Sequence, residues 1–363
     1  MVDAPALPPP AVTAPAPREV SFGLVAGTAP AGTRRIVVHV GARLAADAAL
    51  RGRSFSLRVA LPPRATSVRV TAFDTRDRHS SQTIGPVYGL PADAVPRERS
   101  PRLDPALGRA LRELVRRHGG IAGVYVQDLR TGAGAAWNAK ARFPGASALK
   151  LAVAVTALRA LDGKPEAGSR VDRLLRTMLV RSDNDAANAL EVWLAGSTSA
   201  GSDRVNQTLW ALGLTDSLMY GGYETTRRPA AGVPIPIRVE SQPAWGVGKY
   251  STAWDLARLS RALFLAGAGK GPLLRLGVTG SEARYLLWVL AQVPDRGKLG
   301  RFLAPSAALL HKAGWLPGAR HDNGVVAFAG GAFVATVLTW QTASADELAG
   351  RVAAQAYERF ARS

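Results

Sequence analysis

The stretch "ARFPGASALKLAVAVTALRAL", Ala141 to Leu161, holds a single charged residue, Lys150, between Arg142 and Arg159. "FPGAS" reads as a loop, and "ALKLAVAVTALRAL" has helix-forming composition with no breaker before Gly163. Ser147 then stands at a helix N-terminus with Lys150 one turn along on the same face. A helix that is apolar all round is buried, and its lysine with it. Burial disfavours the ammonium and lowers its pKa. A neutral amine beside a hydroxyl is a general base next to a nucleophile, and the helix N-terminus turns an amide N–H toward a forming oxyanion. The structural alternative is an N-cap serine followed by a lysine that snorkels to solvent. About 0.4 Ser-x-x-Lys matches arise by chance at this composition, so the motif alone decides little.

Two further stretches extend the pattern. "MLVRSDNDAANALEVWL" contains Ser182, Asp183 and Asn184 at the start of another helical segment. All three favour helix caps, but the ordered triplet is expected only about 0.02 times by chance. "LLHKAGWLPGARHDNGVVAFAGG" gives Lys312, Ala313 and Gly314 at the end of a short apolar strand. The "KLG" at Lys298 fits Lys-x-Gly equally well; Lys312 is preferred because a strand precedes it and a strand pair follows. Gly314 would let a substrate approach the strand edge closely.

The rest of the chain frames these motifs. At 363 residues it has room for two domains. The first 17 residues read as a Pro/Ala-rich tail. Short runs follow from Arg18 to Gly89 ("EVSFGLV", "RRIVVHV", "SFSLRVAL", "SVRVTAF"), the last two alternating with period two. They predict a small all-β, immunoglobulin-like sandwich. Residues 90–103 read as a Pro-rich linker, and 104–363 as the domain that carries the motifs. There "DPALGRALRELVRRHGG" predicts a helix with Asp104 as N-cap and Pro105 in its first turn. Strands before and after a mostly helical middle predict an α+β multidomain chain, with an antiparallel sheet flanked by helices plus a helical subdomain. The uncharged run from Gly324 to Ala345 is long enough for a membrane span. Gly330-Gly331 between two strand-like runs favours a buried hairpin instead, so no transmembrane segment is expected.

Composition narrows the chemistry. A formal charge of +19 invites nucleic acid. The arginines are scattered without a block, however, and no zinc spacing or RNA-binding motif accompanies them, so no nucleic-acid partner is expected. With no cysteine there is no disulfide, thiolate zinc site or cysteine nucleophile. The opening "MVDAPALPPPAVTAPAPREV" has neither the apolar run nor the basic start of a signal peptide. It suits an extended linker or a mature N-terminus after a removed signal, which predicts a secreted or cell-envelope protein.

Taken together, "GVYVQDLRTGAGAAWNAKARFPGASALK", "SDNDAANAL", "STAWDLARLSRALF" and "HKAGW...HDNGVV" resemble the penicillin-recognising serine enzymes, and the class A β-lactamase-like branch most closely. The resemblance runs from about Asp104 to the C-terminus. It implies Ser147 as acylated nucleophile and Lys150 as its proton acceptor, direct or through water. Ser182 would be the proton shuttle to the leaving nitrogen. Asn184 would bind the substrate amide, and Lys312 would support Ser182 and attract a substrate carboxylate. The backbone N–H groups of Ser147 and Trp315 would form the oxyanion hole. No metal or cofactor is implied, and the partner is a small β-lactam or other acyl or peptide substrate. The N-terminal β domain lies outside the usual family chain and is left for cell-envelope contact.

Three positions depart from the pattern. Ala313 replaces the usual Thr or Ser of the third motif. The deacylating glutamate has Glu224 as its nearest candidate, yet Arg228 stands where an accompanying Asn belongs. Asn323 replaces the arginine expected before "GVV", with Arg320 or His321 as substitutes. These departures leave three outcomes open beside β-lactam hydrolysis: a penicillin-binding relative, a peptidase or esterase with another base, and a non-catalytic envelope-binding protein that keeps the fold.

Overall fold

The computed structural model describes residues 7–225 and 248–362. The chain divides into two compact units, the first extending to Val95 and the second beginning at Pro96, within the stretch read as a linker.

The first unit is a pair of sheets. Strands β1 (Ala11–Ala14), β2 (Glu19–Ser21), β3 (Leu24–Thr28), β4 (Thr33–Val40), β5 (Arg43–Ala49), β6 (Ser54–Arg58), β7 (Ala65–Asp74) and β8 (His79–Gly89) follow one another along the chain. One sheet has the order β1-β3-β6 and the other β2-β8-β7-β4-β5. Val25, Ile36, Val38, Phe55, Val68 and Val70 belong to one buried cluster drawn from both sheets. Three sequence expectations need correction. The Pro/Ala stretch is not all tail, because β1 lies in it and pairs with β3. "EVSFGLV" is two strands in different sheets, broken at Gly23. That residue has φ +82°, and an added Cβ there would stand 2.4 Å from the Val59 carbonyl oxygen. Finally β5, "RLAADAA", went unread because it is an alanine-rich edge strand with no β-branched residue.

The second unit begins with β9 (Arg102–Leu103), α1 (Pro105–His118), β10 (Ile121–Asp128), β11 (Ala133–Trp137) and β12 (Phe143–Pro144). Helices α2 (Lys150–Arg159), α3 (Arg170–Val180), α4 (Asn184–Ala195) and α5 (Thr198–Ala211) follow, then β13 (Tyr250–Ser251). The remainder is α6 (Ala253–Gly267), α7 (Pro272–Arg275), α8 (Gly280–Leu290), β14 (Ala308–Leu316), β15 (Ala319–Phe328), β16 (Gly331–Trp340) and α9 (Ala345–Ala361). Six strands form one sheet in the order β14-β15-β16-β10-β11-β9. All neighbours are antiparallel except β9 beside β11. Asp104 caps α1 by accepting from the N–H groups of Ala106 and Leu107, with Pro105 in the first turn. The run from Gly324 to Ala345 holds the expected hairpin, with the end of β15 and all of β16 before α9 begins, and among the described residues no helix is long and apolar enough to cross a membrane. The edge strand β14 packs against the short 3-10 turn Ala146–Leu149 that precedes α2, where the nucleophile candidate lies.

Candidate active site

Ser147 does not open the α-helix itself. It sits in a 3-10 turn, Ala146–Leu149, from which α2 continues at Lys150. The residue before it, Ala146, has φ 44°, and Ser182 has φ 58°. A left-handed conformation costs a non-glycine residue roughly 1–2 kcal/mol and persists only where the surroundings over-determine it. The two strained residues mark the same place in the fold, because Ser182 is what the neighbouring lysines hold.

Lys150 is 0 % exposed. Its Nζ donates to the Ser182 carbonyl and, at 2.6 Å, to Asn184 Oδ1. Among the described residues it makes no hydrogen bond to Ser147 Oγ. From β14, Lys312 (2 % exposed) donates to Ser182 Oγ at 2.9 Å and to the Ala313 carbonyl at 2.8 Å. One serine therefore joins two lysines, by its carbonyl to the first and its hydroxyl to the second. Burial brings Lys150 down to about 7, helped by the charges of Lys312 and Lys249 and opposed by Asp183. Burial likewise brings Lys312 down to about 8, against the Asp322 carboxylate.

Gly314 accounts for how closely β14 approaches the turn. A Cβ there would lie 2.9 Å from the Ala148 nitrogen and 3.2 Å from the Ser147 nitrogen, so any side chain would push the two segments apart. Trp315, next along, is 57 % exposed, with the Arg320 guanidinium 5.0 Å from its ring centroid. The Arg320 Nη1 also donates to the carbonyls of Leu316 and Ala319. His321 is buried, lies within hydrogen-bond distance of the Pro144 carbonyl and is pushed down to about 4 by burial. Neither residue is thus placed as a free cation in the role offered for it. Asn323 is buried and spans Ser260 and the Lys312 carbonyl.

Glu224 is exposed; its carbonyl accepts from Asn184 Nδ2 at 2.8 Å, and its carboxylate favours the charged form of Lys249. Arg228 lies outside the described residues. The side chain that turns inward is Tyr223, unnoticed in the sequence. Asn188 holds its backbone at both ends, accepting from the Tyr223 N–H at 2.6 Å and donating to its carbonyl at 2.8 Å. Lys150 Nζ stands 4.7 Å from the Tyr223 ring centroid and Lys249 Nζ 4.5 Å from the same point. Asn188 had a signal: it follows Asn184 by four residues on one helix face. Lys249 had a weaker one. Lysine is scarce here, seven against thirty-nine arginines, and three of the seven meet at this site. No group of three or more His, Asp or Glu that would hold a metal ion occurs among the described residues.

Residues 106–165 and 162–360 match the profile of the beta-lactamase enzyme family. The chain belongs to that family. A curated relative, a β-lactamase of Streptomyces lavendulae, is 32 % identical over an alignment of 139 residues, covering 30 % of this chain and 46 % of the relative. The chain thus spans about half the length of the curated relative it matches. Among solved structures, PBP-A superposes with a TM-score of 0.58 at 20 % identity, over 73 % of this chain and 99 % of that one. A β-lactamase from Sphaerobacter thermophilus gives 0.55 at 21 %, over 72 % and 99 %. An ancestral class A β-lactamase gives 0.56 at 21 %, over 70 % and 100 %. At these identities the likeness concerns the fold.

Proposed function

We propose that the chain is a serine acyl hydrolase that works through an acyl-enzyme on Ser147, with a β-lactam or related cyclic amide as its substrate class. The observation that carries this reading is the chain of contacts Lys312 Nζ to Ser182 Oγ and Lys150 Nζ to Ser182 and Asn184, one turn from Ser147. In its neutral form Lys150 accepts the Ser147 hydroxyl proton as the oxygen bonds to the carbonyl carbon. The hydrogen bond this needs tightens when substrate is bound. The amide N–H groups of Ser147 and Trp315 stabilise the oxyanion. As the carbon–nitrogen bond breaks, Ser182 hands a proton to the departing nitrogen and is resupplied by Lys312. Water then cleaves the ester and frees Ser147. Lys312 is the cation for a substrate carboxylate.

A second reading, acylation with slow release, is favoured by one observation: Glu224 is exposed, and it is the Tyr223 ring that lies against Lys150. With a ring rather than a carboxylate against the proton acceptor, no base stands there to activate water, and the ester outlives the first step. The structural neighbour PBP-A, as an L158E mutant, was captured as an acyl-enzyme with penicillin G.

Incubation with a fluorescent penicillin followed by intact-mass measurement tests both. An adduct that disappears in Ser147→Ala supports acylation, and rapid turnover of a chromogenic cephalosporin supports hydrolysis. A lasting adduct supports the slow relative. No adduct with several β-lactams and active esters overturns the enzyme reading in favour of a binding protein.

A further inference from the structure

Lys249 stands beside the nucleophile without belonging to any of the three motifs. Its backbone carbonyl accepts from the Gly145 N–H at 2.8 Å, where β12 meets β13, two residues before Ser147. Its Nζ donates to the Gly222 carbonyl at 2.7 Å. Both ends of the side chain are therefore fixed, and so is the ring it faces, through the Asn188 clamp on Tyr223.

We infer that Lys249 is a positioning residue for the Ser147 reaction: sharing the Tyr223 ring with Lys150, its ammonium keeps Lys150 from holding its proton. The inference rests on the reading of Lys150 as proton acceptor. An aromatic face attracts a cation, so the Tyr223 ring by itself favours the charged form of Lys150. A second cation on the same ring opposes this. The two nitrogens are no more than about 9 Å apart whichever faces they occupy.

The other charges on Lys150 are Lys312 from β14, which acts in the same sense, and Asp183 ahead of α4, which acts against it. Lys249 itself faces the carboxyls of Glu191 and Glu224, which favour its charged form, while burial disfavours it. Glu191, on α4, is 0 % exposed, and among the described residues neither carboxyl oxygen has a hydrogen-bond partner. Its charge acts on both Tyr223 and Lys249. Lysine suits this task better than arginine at position 150, since only an amine gives up its proton within the range these charges command.

The test is an NMR titration of the full chain carrying lysine labelled with carbon-13 at Cε, with the Lys150 signal assigned by Lys150→Arg. In Lys249→Met the Lys150 midpoint is expected to rise by about one pH unit, the effect of one charge at this separation in a partly desolvated site. Lys249→Arg, which keeps the charge, is expected to leave it at the wild-type value. Tyr223→Leu, which removes the ring, is expected to lower it. Acylation by the fluorescent penicillin should follow, with its pH profile displaced in the same directions. A Lys150 midpoint unmoved by Lys249→Met, or moved equally by Lys249→Arg, overturns the inference. Should Lys249→Met fail to fold, a midpoint that does not fall in Tyr223→Leu overturns it. If the midpoints move as stated but Ser147 never acquires an adduct, the function proposed above falls while the role of Lys249 on Lys150 stands.

Discussion

With a buried amine brought down to about 7, Lys150 passes between its two protonation states near neutrality. The neutral amine is the competent base, so acylation of Ser147 is expected to rise as pH climbs through about 7 and then to level. Lys150→Met should lower the acylation rate by about 10²–10⁴, measured as adduct formation under pseudo-first-order conditions. Ala313 offers a second test at this scale. Ala313→Thr adds a hydroxyl beside Lys312 and should strengthen binding of a carboxylate-bearing β-lactam roughly tenfold, the value of one hydrogen bond to a charged group. A neutral active ester should show no change. Ser147, Lys150 and the Ser-Asp-Asn triplet were legible in the sequence because each depends on local order: a turn before a helix, or a cap. Tyr223 and Lys249 were not, because the distances that matter join residues some 70 to 100 positions from Lys150, which no local pattern encodes.

Between elements, the approach of β14 to the 3-10 turn is the sensitive dimension. Gly314→Ala places a Cβ against two backbone nitrogens, which cannot rotate away as a flexible side chain would. The turn must shift, and with it the oxyanion donors. Acylation is expected to fall by about 10²–10³, while the circular dichroism spectrum stays that of the wild type. On α4, the buried Glu191 is pushed up to about 8 by desolvation. The folded chain keeps this proton after the unfolded chain, near 4.5, has released it. That contribution to stability is complete below about 4.5 and is lost as pH rises through about 8. Glu191→Gln should therefore flatten the decline of the melting temperature across this window, measured by scanning calorimetry. Element boundaries were readable where capping residues announced them, as at Asp104. They were unreadable where a tertiary contact made the break, as at Gly23 against Val59.

Across the whole molecule, each unit has its own buried core. Ile36, in the cluster of the first unit, gives a measure of their independence. Ile36→Ala should cost about 2–5 kcal/mol in that unit's unfolding and leave the acylation of Ser147 by the fluorescent penicillin unchanged under native conditions. The α+β class followed from the order of strand-like and helix-like segments, but the strand order of the large sheet did not. Period-two patterning states which face is buried and says nothing of which strand lies alongside. The pairing of β10 with β16 joins residues 121–128 to residues 333–340, and it has a consequence for synthesis. A nascent chain carries β10 with one edge unsatisfied until the codons for β16, some two hundred residues later, have been translated. A premature stop before Gly331 would leave that apolar strand open to association with other chains. Truncated products should accumulate as aggregates rather than as weakened enzyme.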